Sequence, residues 1–342
     1  MSGSPLALTM GDPAGVGGEI TLKAWMRHHE NGAKLPPFFV IGDADHLTSL
    51  ASHLALPIPI KKIQTPRDTS NVFLNALPVL HTPLKTSAVF GHPCSDNASW
   101  VISTIKSAVE LTQDGLARGI VTCPIAKDVL YGAGFEFPGH TEYLAHLAGE
   151  DIHPVMMLAC DQLRVVLASV HVSILEAARS LSTTTIVNVA QITHQALKQD
   201  FGIANPVLAI AGLNPHAGEG GAMGDEDVDI IIPAIQQLRE QGINALGPMP
   251  PDTMFTAKAL PTYDAAVCMY HDQGLIPLKT LDFERGVNTT LGLPFVRTSP
   301  DHGTAFDIAG TGQASELSLI AALCMADEMV DARTGGSFGS GI

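Results

Sequence analysis

Short, nearly unbroken apolar runs recur along the chain, and each stops at a glycine, proline, acid or histidine. PLALTM runs into GDPAG, FFVIG into Asp43, and GIVTC into Pro124. LRVVLASV meets His171, PVLAIAGLN meets Pro215 and His216, and AAVCMY meets His271. Apolar runs of this length without alternation are the signature of strands covered on both faces. Between them lie stretches with helical spacing. Val101, Ile105, Val109 and Leu116 predict a helix over Asn97–Ala117, and further helices are expected over Glu19–Trp25 and Thr183–Lys198. Strand–helix alternation of this kind specifies an α/β fold.

Local signals refine this picture. PVMMLAC and LRVVLASV flank Asp161-Gln162 and read as a hairpin, so the sheet is mixed. Thr141 is expected to N-cap the helix EYLAHLAG. Asp225, Glu226, Asp227 and Asp229 open DIIIPAIQQLREQG and read as partners of a helix dipole rather than as a metal site. The Gly/Ser-rich tail GGSFGSGI reads as disordered.

The 342 residues suit two domains or one large α/β unit. The formal charge of −15, with no basic run, argues against a nucleic-acid partner. Such a protein holds an anion only through locally placed cations and helix N-termini. No apolar stretch approaches a membrane span, and the N-terminus carries no signal-peptide pattern. Five scattered cysteines without a CxxC indicate neither a disulfide framework nor a cysteine zinc site, which points to the cytoplasm.

His171, His216 and His271 share one context, at or just beyond the carboxyl end of an apolar strand, where ligands of open α/β sheets collect. Three imidazoles from separate strands can converge on one divalent cation and leave positions open for substrate. Taken singly, each is an ordinary polar loop residue, and no HExxH spacing supports the metal. GDPAGVGGEI lies between a strand and a helix but is not GxGxxG. Its glycines serve either close approach to a ligand or a tight turn. His140 and Thr141 stand at a helix start, and Lys279, Asn288 and Arg297 follow His271. These suit phosphate and carboxylate recognition, or are solvated surface residues.

TMGDPAGVG, GHTEYLA, GLNPHAGEGGAMG, GPMPPDTMF, MYHDQGLIPLKT and GVNTTLGLPFVRTSPDHGTAFDIAG together resemble the 4-hydroxythreonine-4-phosphate dehydrogenase family of vitamin B6 biosynthesis, over nearly the whole chain. The resemblance implies an isocitrate/isopropylmalate-dehydrogenase-like fold, two α/β domains with a mixed sheet and a cleft between them. It places a cofactor-side domain at 1–130 plus 275–342 and a metal-binding, dimerising domain at 131–274. It implies a homodimer whose active site is shared across the interface. His171, His216 and His271 fall on metal-ligand positions, and His140, Thr141, Lys279, Asn288 and Arg297 on substrate positions. Lys279 and Asp252 take catalytic roles. DHGTAFDIAG is similar to the nucleotide loop of decarboxylating dehydrogenases, which makes His302, Gly303 and Asp307 cofactor residues, joined by Gly11 and Asp12 of the first Gly-rich turn.

The implied cofactors are NAD or NADP and one divalent ion, zinc or alternatively magnesium or cobalt. The implied reaction oxidises 4-phosphooxy-L-threonine to a β-keto acid that loses carbon dioxide. Gly17-Gly18-Glu19 stands where relatives often have Gly-Pro-Glu, and Thr122-Cys123-Pro124 where they often have Thr-Gly-Pro. A paralogue acting on phosphorylated threonate, erythronate or a dihydrodiol carboxylate therefore stays open. So do a three-histidine metallohydrolase and a non-enzymatic phosphometabolite binder.

Overall fold

The computed structural model describes residues 3–30 and 35–335, so the Gly/Ser-rich tail from residue 336 lies outside the described residues. The apolar runs become twelve strands. They are β1 (Leu6–Thr9), β2 (Phe38–Gly42), β3 (Ile60–Ile63), β4 (Leu77–His81), β5 (Ile120–Thr122) and β6 (Val155–Cys160). Then follow β7 (Leu163–Leu167), β8 (Val207–Ala211), β9 (Asn244–Met249), β10 (Ala265–Cys268), β11 (Val287–Leu291) and β12 (Arg297–Pro300). The chain divides into two units, Met1–Pro154 with Leu293–Val330, and Val155–Gly292 with Asp331–Ile342. The resemblance implies breaks at about 130 and 274. The observed breaks keep the helix His140–Ala148 with the first unit, and the helix His271–Leu281 and β11 with the second.

In the first unit the strand order is β3-β4-β2-β1-β5-β12, and every pairing is parallel. The central strands β1, β2 and β5 are buried at every position, as expected where helices cover both faces. The edge strand β3 instead exposes Lys61 and Lys62, charges that discourage pairing with another chain. The helix Ala98–Gln113 buries Val101, Ile105 and Val109 of the stripe read in the sequence, whereas Leu116 lies beyond its end. It stops short of Ala117 because the chain turns at Gly115, where φ is +71°.

In the second unit the order is β11-β6-β7-β10-β8-β9. β11, β6 and β7 pair antiparallel, and β7, β10, β8 and β9 run parallel, so this sheet is mixed. The hairpin at Asp161-Gln162 forms as expected, with Cys160 opposite Leu163. Its core joins Leu158, Val165, Leu167, Ala209, Ala266 and Cys268 from adjoining strands to Leu275 and Leu278 of the following helix. The helix Thr183–Gln199 is capped by Ser182, whose hydroxyl accepts the Thr185 amide. Among the described residues no helix is long and apolar enough to cross a membrane, and all five cysteines are unpaired.

Candidate active site

In the second unit β7, β10 and β8 lie side by side and parallel, Ala266 opposite both Val165 and Ala209, so their carboxyl ends share one edge. The three histidines leave from that edge. His171 follows β7, His216 follows β8, and His271 opens the helix after β10. The rings of His171 and His271 stand 5.7 Å apart between centroids, tilted by 42°. Nδ1 of His271 lies 2.8 Å from Asp272 Oδ1, a carboxylate partner of the kind common beside metal-ligating histidines. Both rings line a pocket of about 230 Å³ with Tyr270 and Asp272, and with Val170, Val172 and Ile174 on its apolar side.

His216 sits in an unusual loop. His216, Ala217, Gly218, Glu219 and Gly220 all have positive φ, 54°, 53°, 77°, 44° and 66°. Each non-glycine residue in this region costs about 1–2 kcal/mol, so surrounding structure must impose it. Asp227, fully buried, supplies the constraint. Its carboxylate accepts the amides of Leu213 at 2.9 Å and Asn214 at 3.0 Å, and Glu226 accepts Asn214 Nδ2 at 2.8 Å. A Cβ on Gly212 would come within 2.9 Å of Asp227 Oδ1. The acidic group is therefore more than a helix-dipole partner, because two of its members bracket the loop that carries His216.

Among the described residues, the group whose potential ligand atoms all lie within 4.8 Å of one another is Asp43, Asp45 and His81, in the first unit, rather than the three histidines. Its contacts explain it without an ion. Asp43 caps the helix Ala44–His53, accepting the amides of Asp45, His46 and Leu84. Burial works against its charge, but those amides and His81 hold its pKa below the usual carboxylate value. His81 Nδ1 accepts the Ala44 amide, and Lys62 Nζ already pairs with Asp45 at 2.9 Å. This is a helix cap with an ion pair.

Lys279 lies in the last turn of the helix His271–Leu281, its Nζ 5.7 Å from the Phe283 ring centroid. Asn288 lies in β11 opposite Leu158, and Asp252 is exposed in the short helix Pro251–Met254.

The first unit holds the anion-binding candidates. Arg297, buried at the start of β12, donates from Nη2 to Thr122 Oγ1 at 2.7 Å, at the end of β5. Burial lowers its pKa to about 10 against the opposing charge of Glu142, so it stays cationic at neutral pH. His140 stands near two cations, Arg297 and Lys127. Burial first, then Arg297 and Lys127, push its pKa well below the usual value, so the imidazole is neutral. His140 Nε2 is buried with no hydrogen-bond partner, an atom that a bound ligand would satisfy. Thr141 is the second residue of this helix and not its cap. Gly139 holds the cap position, with no side-chain hydrogen bond. Lys127 escaped the sequence reading, although it follows β5 closely enough for the strand-end rule to single it out.

The two stretches expected at the cofactor meet in the same unit. The Val16 amide donates to the Thr304 carbonyl at 3.0 Å, and a Cβ on Gly15 would lie 2.9 Å from that oxygen. A Cβ on Gly11 would lie 2.4 Å from the Pro124 carbonyl, which the Asp12 amide reaches at 2.9 Å. In this structure, then, these glycines admit neighbouring backbone. Asp12 Oδ1 accepts the Ala14 amide, but burial, with a smaller push from Asp128, raises its pKa above the usual carboxylate value. His302, Gly303 and Asp307 are exposed on the facing loop, with His302 Nδ1 3.0 Å from the Gly303 carbonyl.

Comparison with known proteins shows the family. The family described as pyridoxal phosphate biosynthetic protein PdxA matches residues 34–326. A 4-hydroxythreonine-4-phosphate dehydrogenase from Caulobacter vibrioides is 49% identical, covering 97% of this chain and 99% of its own. The crystal structure of one from Klebsiella pneumoniae superposes with a TM-score of 0.85 at 36% identity, covering 96% and 99%. A terephthalate 1,2-cis-dihydrodiol dehydrogenase from Burkholderia xenovorans superposes with a TM-score of 0.63 at 28% identity, covering 98% and 99%. The chain belongs to the PdxA family of pyridoxal phosphate biosynthetic proteins.

Proposed function

We propose that this protein is an NAD- or NADP-dependent dehydrogenase that oxidises 4-phosphooxy-L-threonine at C3, in the cytoplasm, as a step of pyridoxal phosphate formation. The nicotinamide, when bound, would supply the hydride acceptor, so that the C3 alcohol would become a ketone with release of the hydroxyl proton. The resulting 2-amino-3-oxo-4-phosphooxybutanoate loses carbon dioxide to give 3-amino-2-oxopropyl phosphate. The observation that carries this reading is the pairing of His171 with His271 beside the Asp272-oriented nitrogen. It supports an oxidation that needs a Lewis acid and a substrate hydroxyl at one place.

Two imidazoles of the donor set, His171 and His271, line one pocket, and the Asp272 carboxylate at His271 Nδ1 suits a metal-ligating histidine. His171, His216 and His271 would hold a divalent cation, and it would supply polarisation of the substrate hydroxyl. Three imidazoles favour zinc, while magnesium or cobalt suit a site that also takes substrate oxygens. Arg297, His140 Nε2 and Thr141 bind an anionic end of the substrate, and Lys127 adds charge beside them. Lys279 and Asn288 are substrate-binding residues as well. The Lys279 ammonium stabilises the negative charge that develops as carbon dioxide leaves, and Asp252 moves or orients a proton. Gly11, Asp12, His302, Gly303 and Asp307 receive the nucleotide. The exposed apolar residues Val172, Ile174, Leu175, Ile276 and Phe283, close in sequence to His171 or His271, support a homodimer that completes the site.

A second reading, oxidation of a cis-dihydrodiol carboxylate, is favoured by the 28%-identical relative. The two separate in one comparison of kcat/KM for 4-phosphooxy-L-threonine, phosphorylated threonate and a cis-dihydrodiol carboxylate. Preference for the first by at least about a hundredfold supports the proposal, and preference for either other substrate overturns it.

A further inference from the structure

Glu19, Lys23 and Arg27 recur every four residues along the helix Gly17–Glu30, on one face. All three reach the segment Gly312–Glu316. Glu19, fully buried, accepts the Gly312 amide at 3.3 Å and the Ala314 amide at 3.0 Å, and pairs with Lys23 Nζ at 2.9 Å. Lys23 Nζ in turn donates to the carbonyls of Gly312 at 2.6 Å and Ala314 at 2.7 Å. Arg27 Nε donates to Glu316 at 2.6 Å. One end of the loop that begins at Asp301 is thus clasped by a helix face.

The other end is clamped as well. The Asp301 amide donates to Ser318 Oγ, and the Val16 amide to the Thr304 carbonyl. Between Thr304 and Gly312 the chain follows tight turns, Ile308 to Ala305 and Thr311 to Ile308, and His53 Nε2 lies 3.0 Å from the Gly310 carbonyl. Positive φ at Ala305, Gly310 and Gly312 shapes this arc, which carries Asp307. A buried ion pair contributes little net stability, because desolvation offsets its attraction. What Glu19 and Lys23 supply, and an apolar pair would not, is hydrogen bonding to both amides and both carbonyls of Gly312 and Ala314. That fixes the position of one end of the arc.

We propose that Glu19, with Lys23, is a positioning residue of the nucleotide loop, holding Asp301–Ala314 in its binding conformation before the nucleotide arrives. Holding the loop ready removes an ordering cost from nucleotide binding. The inference rests on the nucleotide reading of the Asp301–Gly310 loop made above.

The test is NADH binding to the full chain without substrate, followed by the fluorescence of the dinucleotide. Glu19→Gln and Lys23→Met each weaken NADH binding about tenfold. KM for the hydroxy acid, and kcat at saturating nucleotide, stay within about twofold. Unchanged NADH affinity in folded variants, even with a lower Tm, means that the clasp is structural only and overturns the proposal. If Glu19→Gln does not fold, Lys23→Met decides alone by the same criterion. Asp307→Ala, measured alongside, separates the two levels. Normal NADH binding there contradicts the nucleotide reading itself. Weakened binding there, with normal binding in the clasp variants, contradicts only the positioning role.

Discussion

The rings of His171 and His271 stand 5.7 Å apart although they leave from different strands, and Asp272 holds the second of them at Nδ1. Parallel pairing of β7 with β10 brings them together, since strands in register end at one edge. A carboxylate on one imidazole nitrogen leaves the other as the ligand atom. Asp272→Ala should therefore weaken divalent-ion affinity by about ten- to a hundredfold while leaving the fold intact. Competition with a coloured chelator, read beside the circular dichroism spectrum, checks this. Unchanged affinity would mean that Asp272 does not orient a ligand.

Arg297 is buried and bonded to Thr122, beside a neutral His140 whose Nε2 has no partner. Lysine cannot reproduce the planar fork of arginine. Arg297→Lys should raise KM for the phosphorylated substrate by about ten- to a hundredfold, with a smaller change in kcat. Steady-state kinetics at several substrate concentrations reads the split. A fall in kcat alone would move Arg297 away from binding.

Asp227 accepts two backbone amides and brackets the left-handed loop from His216 to Gly220. Asp227→Ala removes both acceptors and should cost about 2–3 kcal/mol of stability, with metal affinity falling at the same time. Thermal unfolding and chelator competition on one preparation check both. A stable variant with weakened metal binding would show that the loop moves without loss of the core.

Asp12 is held above its usual pKa by burial, with Asp128 adding to the shift. A raised folded pKa contributes stability below the unfolded value of 3.8, and that contribution is lost as pH rises through the folded pKa. At neutral pH the ionised carboxylate is therefore a penalty, one that Asp12→Asn escapes while it still accepts the Ala14 amide. The variant's Tm should exceed that of the wild type at pH 7, and the gap should shrink as pH falls toward about 4. A gap that stays constant with pH would contradict the assignment.

What could be read from the sequence followed from short-range pattern. Continuous apolar runs gave β1, β5 and β10, and the Asp161-Gln162 punctuation gave the hairpin, because burial on both faces and tight turns leave local signatures. The histidines were visible as strand-end residues for the same reason. Thr141 misled because threonine is a good cap in isolation, whereas the backbone placed Gly139 there. Asp227 looked like one more acid at a helix start, and its role appears only once the loop before it folds back. Glu19 and Lys23 carried helical pair spacing, but their partners at Gly312 and Ala314 lie far along the chain, where no local pattern points.

The central claim is that this chain oxidises a phosphorylated hydroxy acid with a nicotinamide and a divalent ion held by histidines. Absorbance of NADH, followed with purified protein, NAD and 4-phosphooxy-L-threonine before and after chelation, tests it most directly. The account predicts NADH formation that the chelator abolishes and added zinc, magnesium or cobalt restores, and that His216→Ala lacks even with metal supplied. NADH formation indifferent to the chelator, or wild-type turnover in His216→Ala, would contradict the three-histidine site. No NADH with any hydroxy acid in metal-loaded protein would contradict the dehydrogenase itself.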